Sequence, residues 1–263
     1  MIKDMKVVIF AGGLGTRLME ETEARPKPMV EIGGKPILWH ILKIYSYYGY
    51  NDFIICLGYK QFMIKDFFIN YYAHNSDLTI DLKDNSTTIH NTNTENFRVT
   101  LVDTGYTTNT AGRLKRIQKY TENETFMLTY GDGISNVNIP ELVEYYKSKG
   151  KLITLTSILT PGRFGHLDID ESGNIKEFIE KPTDEGIWIN GGFMILEPEI
   201  FKYLEGDMDN IQWEKKPLLD IINDNQAATY KHFGFWKSMD ALRDKIELEE
   251  IWNSGKAPWK IWS

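Results

Sequence analysis

The chain is nearly devoid of cysteine. Cys56 is the only one among 263 residues, so no disulfide can form within the chain. Its place in the apolar run FIICL reads as a small buried hydrophobe. No apolar run approaches the length of a membrane span, and no signal-peptide pattern opens the sequence. The expectation is a cytoplasmic protein with no membrane partner. Basic tracts are missing as well, and a net charge of −7 argues against nucleic acid as a partner. The phosphate-loop string GxxxxGK[ST] does not occur. With 42% hydrophobic residues, the composition is that of an ordinary globular protein, long enough for one substantial core.

What is present is concentrated at residues 7–28, VVIFAGGLGTRLMEETEARPKP. Val7, Val8, Ile9 and Phe10 read as a sheet-core strand. Ala11, Gly12, Gly13 and Gly15 then offer almost no side chain, so backbone N–H groups can approach an anion closely. Arg17 adds a planar fork suited to phosphate oxygens, and Lys27, between two prolines, adds a compact point charge. The dinucleotide fingerprint GxGxxG fits badly. Leu18 stands where its third glycine belongs, and Pro26 and Pro28 would break the crossover helix. The segment reads as a polyphosphate cradle.

Strand and helix signals alternate along the rest of the chain. Residues 36–48 and 64–73 read as helices and 52–57 as a buried strand, a βαβα order. It predicts an α/β fold of Rossmann-like type: a doubly wound, mixed, largely parallel sheet with helices on both faces. Residues from about 74 to 102 alternate apolar with polar between turn signals. They predict a small antiparallel β arm, either a plain decorated hairpin or an oligomer contact. A C-terminal helical segment is expected over about 238–254, capped by Ser238, with Leu242, Ile246 and Leu248 on its apolar face. No linker or repeat suggests a boundary, so residues 1–263 are read as one domain.

A second informative string is FMLTYGDGISNV. Phe126–Tyr130 reads as a buried strand with Gly131-Asp132-Gly133 at its carboxyl end, where open α/β sheets bind ligands. Asp132 is a hard oxygen ligand suited to Mg²⁺, although the same string alone reads first as an ordinary Asp-Gly turn. Asp240 is the candidate second carboxylate, with Asp244 and the glutamates after it read as a solvated helix face. Arg113, Lys115 and Arg116 cluster in TTNTAGRLKRI. On its own such a cluster is solvated surface.

The string GGLGTRL…PKP resembles the signature of the sugar nucleotidyltransferases. The later strings KPMVEIGGKPILWHI, DFIICLGYK, GRLKR, YGDG, GRFG, EKP, INGGF and GFWKSMDALRDK extend the likeness over nearly the whole chain. They are most similar to the branch that joins CTP to glucose 1-phosphate. The resemblance implies catalytic roles for Arg17 and Lys27, and a nucleotide site built from Phe10, Ala11, Gly12, Gly13, Leu14, Gly15, Thr16, Arg17 and Lys27. It adds Thr108, Arg113, Gly131 and Asp132 to that site. It further implies Mg²⁺ on Asp132 and Asp240, and sugar-phosphate contacts from Gly165, Glu180, Lys181 and Asn190. Trp188 either packs on the sugar or fills the core or rim, with core or rim the favoured expectation. The chain has Asn109 and Ala111 where the family carries methionine and a second glycine, which bears on the hydroxyl contact at Thr108. A homo-oligomer, and service to a surface polysaccharide, are further family implications.

The implied chemistry suits the residues. A sugar 1-phosphate oxygen would attack the α-phosphorus of the triphosphate and expel pyrophosphate. With a second pKa of about 6, that phosphate is already mostly ionised at neutral pH. No general base is then required, in keeping with five histidines and no Ser/His/Asp string. A different base or sugar, or a metal-dependent glycosyltransferase, is the alternative reading. GTRL…PKP has no purpose in the latter. An intact set of Arg17, Lys27, Asp132 and Asp240 argues against a non-catalytic nucleotide sensor, and the missing third glycine against an NAD oxidoreductase.

Overall fold

The computed structural model describes residues 5–121, 123–160, 166–169, 175–179 and 186–262. At its centre, β1 (Val7–Phe10) pairs in parallel with β2 (Asp52–Leu57) on one side, and β3 (Arg98–Asp103) lies parallel beyond β2. On the other side β1 pairs in parallel with β4 (Phe126–Tyr130). The sheet continues through antiparallel neighbours. β5 (Ile153–Thr160) pairs with both β6 (Ile187–Asn190) and β7 (Met194–Leu196), and β7 reaches across to β4. β8 (Ala227–His232) closes the far edge, parallel to β5. β6 and β7 lie on the same side of β5, two halves of one strand interrupted at Gly191-Gly192.

Both faces of the sheet are covered, and β1 shows how. Val7 and Ile9 join a cluster with Ile37, Leu38, Ile41 and Tyr45 of α1 (Ile37–Tyr47). Val8 and Phe10 join a separate cluster on the opposite face with Ala111 and Leu114. Successive strand residues point to opposite faces, so a run of four fully apolar residues requires cover on both. Each such side chain contributes about 1.5–3 kcal/mol by leaving water. Cys56 is buried in the second cluster, its thiol pushed up to about 12 by desolvation. Helix α2 (Gln61–Ile69) follows β2, and α3 (Thr110–Arg116), α4 (Ile139–Lys149), α5 (Lys216–Asn223) and α6 (Leu242–Asn253) complete the layers. Among the described residues no helix is long and apolar enough to cross a membrane.

Several expectations need correction. The antiparallel arm is shorter than expected: only Ser76–Asp81 and Ser86–Thr92 pair as a hairpin, and RVTLVD is β3, a parallel edge strand of the central sheet. Its alternation reflects an edge strand covered unevenly on its two faces, a pattern that a hairpin strand shares. The helix expected from residue 64 begins at Gln61 and breaks at Asn70, with a further turn at Tyr71–His74. The C-terminal helix starts later than expected. Ser238 ends a short strand (Trp236–Ser238) paired with Gly133–Ser135, and Asp240 precedes α6. Asp244, expected in solvent, accepts from the backbone N–H groups of Asp240 (3.1 Å) and Ala241 (2.8 Å) and caps the helix. Of its expected apolar face only Leu248 is buried.

The chain's end is pinned by an aromatic cluster. Trp252, Trp259 and Trp262 surround His40 with ring centroids 4.8–6.3 Å away. His40 Nε2 donates to the Ile32 carbonyl at 2.8 Å, while Nδ1 accepts from the Trp259 indole at 3.4 Å. This assigns the neutral tautomer, and burial lowers its pKa to about 4.

Candidate active site

The site forms where β1 and β4 end side by side. Ala11 N donates to the Cys56 carbonyl (3.0 Å) and Gly131 N to that of Phe10 (2.9 Å), which clamps the glycine loop between its neighbouring strands. Gly15 is left-handed at φ 68° and turns the chain into the short helical turn Thr16–Leu18. A Cβ on Gly12 would lie 2.1 Å from Arg113 Nη1. Glycine is therefore required there by close approach.

That approach explains Arg113. Its side chain is buried, and Nη2 donates to the Gly12 carbonyl at 2.8 Å. Nη1 donates to the carbonyls of Leu57 (2.9 Å) and Gly105 (2.9 Å) and to Thr104 Oγ1 (2.8 Å). The guanidinium thus ties the glycine loop to the ends of β2 and β3, while its edge still lines the cavity in front of the loop. The basic cluster divides accordingly: Arg113 is internal, and Lys115 and Arg116 face outward. Thr108 Oγ1 accepts from Arg116, whose other nitrogen bonds Asp209 at 2.7 Å.

Lys27 lines the same cavity, its stem beside Gly15. Pro26 holds an extended φ and Pro28 is buried, so the short turn Lys27–Met29 presents the lysine at a fixed place. Its ammonium is 2.6 Å from Asp132 Oδ2 and 2.8 Å from Asp240 Oδ1. Burial would lower the Lys27 pKa, but the charge and hydrogen bonds of the two aspartates prevail and raise it above the ordinary lysine value. Burial likewise pushes the Asp240 carboxyl up. The Lys27 hydrogen bond and charge, helped by Ser238 and Arg17, outweigh this and hold it below the usual range. Arg17 Nη2 reaches Asp240 Oδ1 at 3.3 Å from a largely exposed position. The aspartates converge because Gly133–Ser135 pairs with Trp236–Ser238, and Met239 N donates to the Asp132 carbonyl at 2.9 Å.

Between these groups is a cavity of about 280 Å³, lined among others by Gly12, Gly13, Lys27, Thr108 and Asp132. Phe10, Ala11, Gly15, Thr16, Arg17 and Gly131 also border it; Leu14 does not and is half exposed. No group of three or more His, Cys, Asp or Glu side chains converges to hold a metal among the described residues. Asp132 and Asp240 form a two-carboxylate pair sharing one cation. Such a pair fits Mg²⁺, which is held by one or two carboxylates plus substrate phosphates.

A polar chain runs from this cavity toward the β6–β7 break. Tyr130 OH donates to Glu214 Oε1 at 2.7 Å, and Asn190 Nδ2 donates to Tyr130 OH at 3.2 Å. Burial first, then the Glu214 charge, raises the Tyr130 pKa and keeps the phenol protonated. Glu214 Oε2 accepts from Thr110 Oγ1 at 2.9 Å. Sequence reading singled out Asn190 but neither Tyr130 nor Glu214. Tyr130 carried a signal, an aromatic at a strand end beside Gly131-Asp132. Glu214 carried none. Trp188 is 36% exposed, packs against Phe233 beneath the Lys231 ammonium and does not line the cavity. Gly165, Glu180 and Lys181 lie outside the described residues.

Comparison with known proteins identifies the family. The nucleotidyl transferase family model matches residues 6–253. A glucose-1-phosphate cytidylyltransferase of Salmonella typhi is 50% identical over 259 residues, covering 98% of this chain and 100% of the relative. A probable glucose-1-phosphate cytidylyltransferase of Bacillus subtilis is 44% identical over 258 residues, with 98% and 100% covered. The crystal structure of HddC from Yersinia pseudotuberculosis complexed with GMP-PN superposes with a TM-score of 0.66. It covers 94% of this chain and 99% of that one at 25% identity. The chain that places a glycine loop, a proline-flanked lysine and two converging aspartates around one cavity thus belongs to the nucleotidyl transferase family.

Proposed function

We propose that the chain condenses CTP with glucose 1-phosphate to give CDP-glucose and pyrophosphate. The observation that carries this reading is the Lys27 ammonium, largely buried between Asp132 and Asp240 in the cavity that the glycine loop lines. The choice of base and sugar follows the half-identical cytidylyltransferase relative.

In this mechanism the glycine loop cradles the triphosphate with its backbone N–H groups. An oxygen of the sugar phosphate forms a bond to the α-phosphorus as the bond to the pyrophosphate oxygen breaks in line. No proton needs to be removed from the nucleophile. Lys27 shifts its hydrogen bonds from the aspartates to the α-phosphate oxygens, and Arg17 swings from Asp240 onto the departing pyrophosphate. The barrier is the repulsion of two polyanions, so positioning and fixed charge supply the catalysis. Asp132 and Asp240 would hold Mg²⁺, which when bound neutralises phosphate charge as a Lewis acid. Arg113 keeps the Gly12 carbonyl turned away from the anion. Thr108 borders the nucleotide, and Asn190, with Gly165, Glu180 and Lys181, serves the sugar phosphate. The protein works in the cytoplasm as a homo-oligomer.

The test is a pyrophosphate-release screen of four nucleoside triphosphates against several sugar 1-phosphates in Mg²⁺. CTP with glucose 1-phosphate stands well above every other pair if the reading holds. Equal rates with another base or sugar would reassign the specificity, and release that needs no sugar phosphate would remove the transferase reading.

A further inference from the structure

Glu214 does not border the cavity, yet it joins two groups that do. Its Oε1 accepts from Tyr130 and its Oε2 from Thr110. A carboxylate only accepts, so the Tyr130 hydroxyl must spend its single proton on Glu214. The phenol oxygen is then left to accept, and it does so from Asn190 Nδ2. At its other end the Asn190 amide is set by Gly192, whose N–H donates to Oδ1 at 3.0 Å. Both constraints agree on one orientation of the amide. Each leaves something over: one N–H on Nδ2 and one lone pair on Oδ1 remain for a ligand.

Glu214 is itself firmly held. Trp213 beside it is fully buried, and Trp213 N donates to Thr110 Oγ1 at 2.7 Å, which fixes that hydroxyl as a donor to Glu214. Nearby carbonyls grip the start of α3: Asp209 O accepts from Asn109 N (2.7 Å) and Ile211 O from Ala111 N (3.1 Å). One segment, 209–214, therefore holds both the Thr108–Thr110 border of the cavity and the chain leading to Asn190. Gly192, at φ 75°, lets the turn after Asn190 pack on Tyr130; a Cβ there would lie 3.1 Å from the ring.

We propose that Glu214 is a positioning residue for the sugar phosphate: through Tyr130 it dictates which end of the Asn190 amide meets a sugar hydroxyl, and so sharpens the choice of sugar. This rests on the nucleotidyl-transfer reading and on Asn190 serving the sugar. Loss of the Glu214 acceptor frees Tyr130 to donate toward Asn190, donor against donor, and the amide must turn or tilt away. A hydrogen bond set wrongly in this way costs up to about tenfold in apparent affinity.

The experiment measures steady-state pyrophosphate release for Glu214→Leu, Tyr130→Phe and the double variant, varying each substrate in turn. Each single variant should raise KM for glucose 1-phosphate about five- to tenfold while KM for CTP moves by less than about twofold. The double variant should be no worse than either single one, because the two groups act along one path. The kcat/KM preference for glucose 1-phosphate over its deoxy analogues should narrow. Tyr130→Phe keeps the ring and its packing, so it carries the test if Glu214→Leu folds poorly. Equal rises in both KM values, additive losses, or no change in the sugar KM would overturn the proposal. A wild-type protein that releases no pyrophosphate from any pair would instead overturn the underlying function, and the sugar role with it.

Discussion

Replacing Lys27 with methionine probes the electrostatic centre most directly. Methionine keeps the unbranched stem and its packing between Pro26 and Pro28 but deletes a cation held 2.6 and 2.8 Å from two carboxylates. Deleting one preorganised charge-stabilising group typically costs 10²–10³ in kcat, or about 2.7–4 kcal/mol. The effect on folding is smaller. Asp132 and Asp240 keep about a third of their side-chain exposure, 30% and 34%, so water takes over much of the lost pairing. A loss of about 1–2 kcal/mol, or about 2–8 °C in Tm, is expected. With the ammonium gone, the paired carboxylates should take up Mg²⁺ more tightly in the absence of nucleotide. The assays are pyrophosphate release, thermal unfolding and Mg²⁺ titration by calorimetry on one preparation. Turnover within a few-fold of wild type would remove Lys27 from the mechanism, whatever the other two readouts give.

Further outcomes follow from the same structure. Asp132→Asn should lose Mg²⁺-dependent turnover while unfolding at nearly the wild-type temperature; normal turnover at ordinary Mg²⁺ would reduce the aspartate to a turn residue. Gly12→Ala must displace the Arg113 guanidinium, since its Cβ would fall 2.1 Å from Nη1; nucleotide KM should rise at least about tenfold, as two or more charge-assisted hydrogen bonds shift. An unchanged KM would show that the loop relaxes freely. The Lys27–Asp240 pair sets a pH window: with the Asp240 pKa lowered and that of Lys27 raised, its stabilisation is complete between the two unfolded values of about 3.9 and 10.4. It is lost as pH falls through the folded Asp240 value or rises through that of Lys27. The stability gap between wild type and Lys27→Met should be flat at neutral pH and close at both extremes. His40 behaves differently. Its folded pKa of about 4 lies below the unfolded value, so its stabilising effect is complete above about 6.5 and falls away toward pH 4, by about 3 kcal/mol in all. Chemical denaturation at pH 7 and 4.5 should show a smaller drop for His40→Gln than for wild type.

Local pattern alone announced much of this protein. Four consecutive apolar residues at 7–10 required a strand covered on both faces, and the glycines after them required a loop that an anion can approach. Pro26 and Pro28 ruled out a long helix and marked Lys27 as fixed. The strands at 52–57 and 126–130 were legible to the residue, because a short apolar run bounded by turn residues has few other solutions. Other features were beyond local pattern. RVTLVD alternates as a hairpin strand would, and only its pairing with β2 makes it a sheet edge. The meeting of Lys27 with Asp240, 213 residues away, depends on a two-strand pairing at Gly133–Ser135. Arg113 and its outward neighbours share one basic string, and burial alone separates the strut from the surface. Glu214 had no signal at all, since a hydrogen-bond relay is a relation between distant side chains. The order of residues determined which elements form and which charges they carry; folding decided which of those charges share a cavity, because direction and dielectric exist only once the chain is packed.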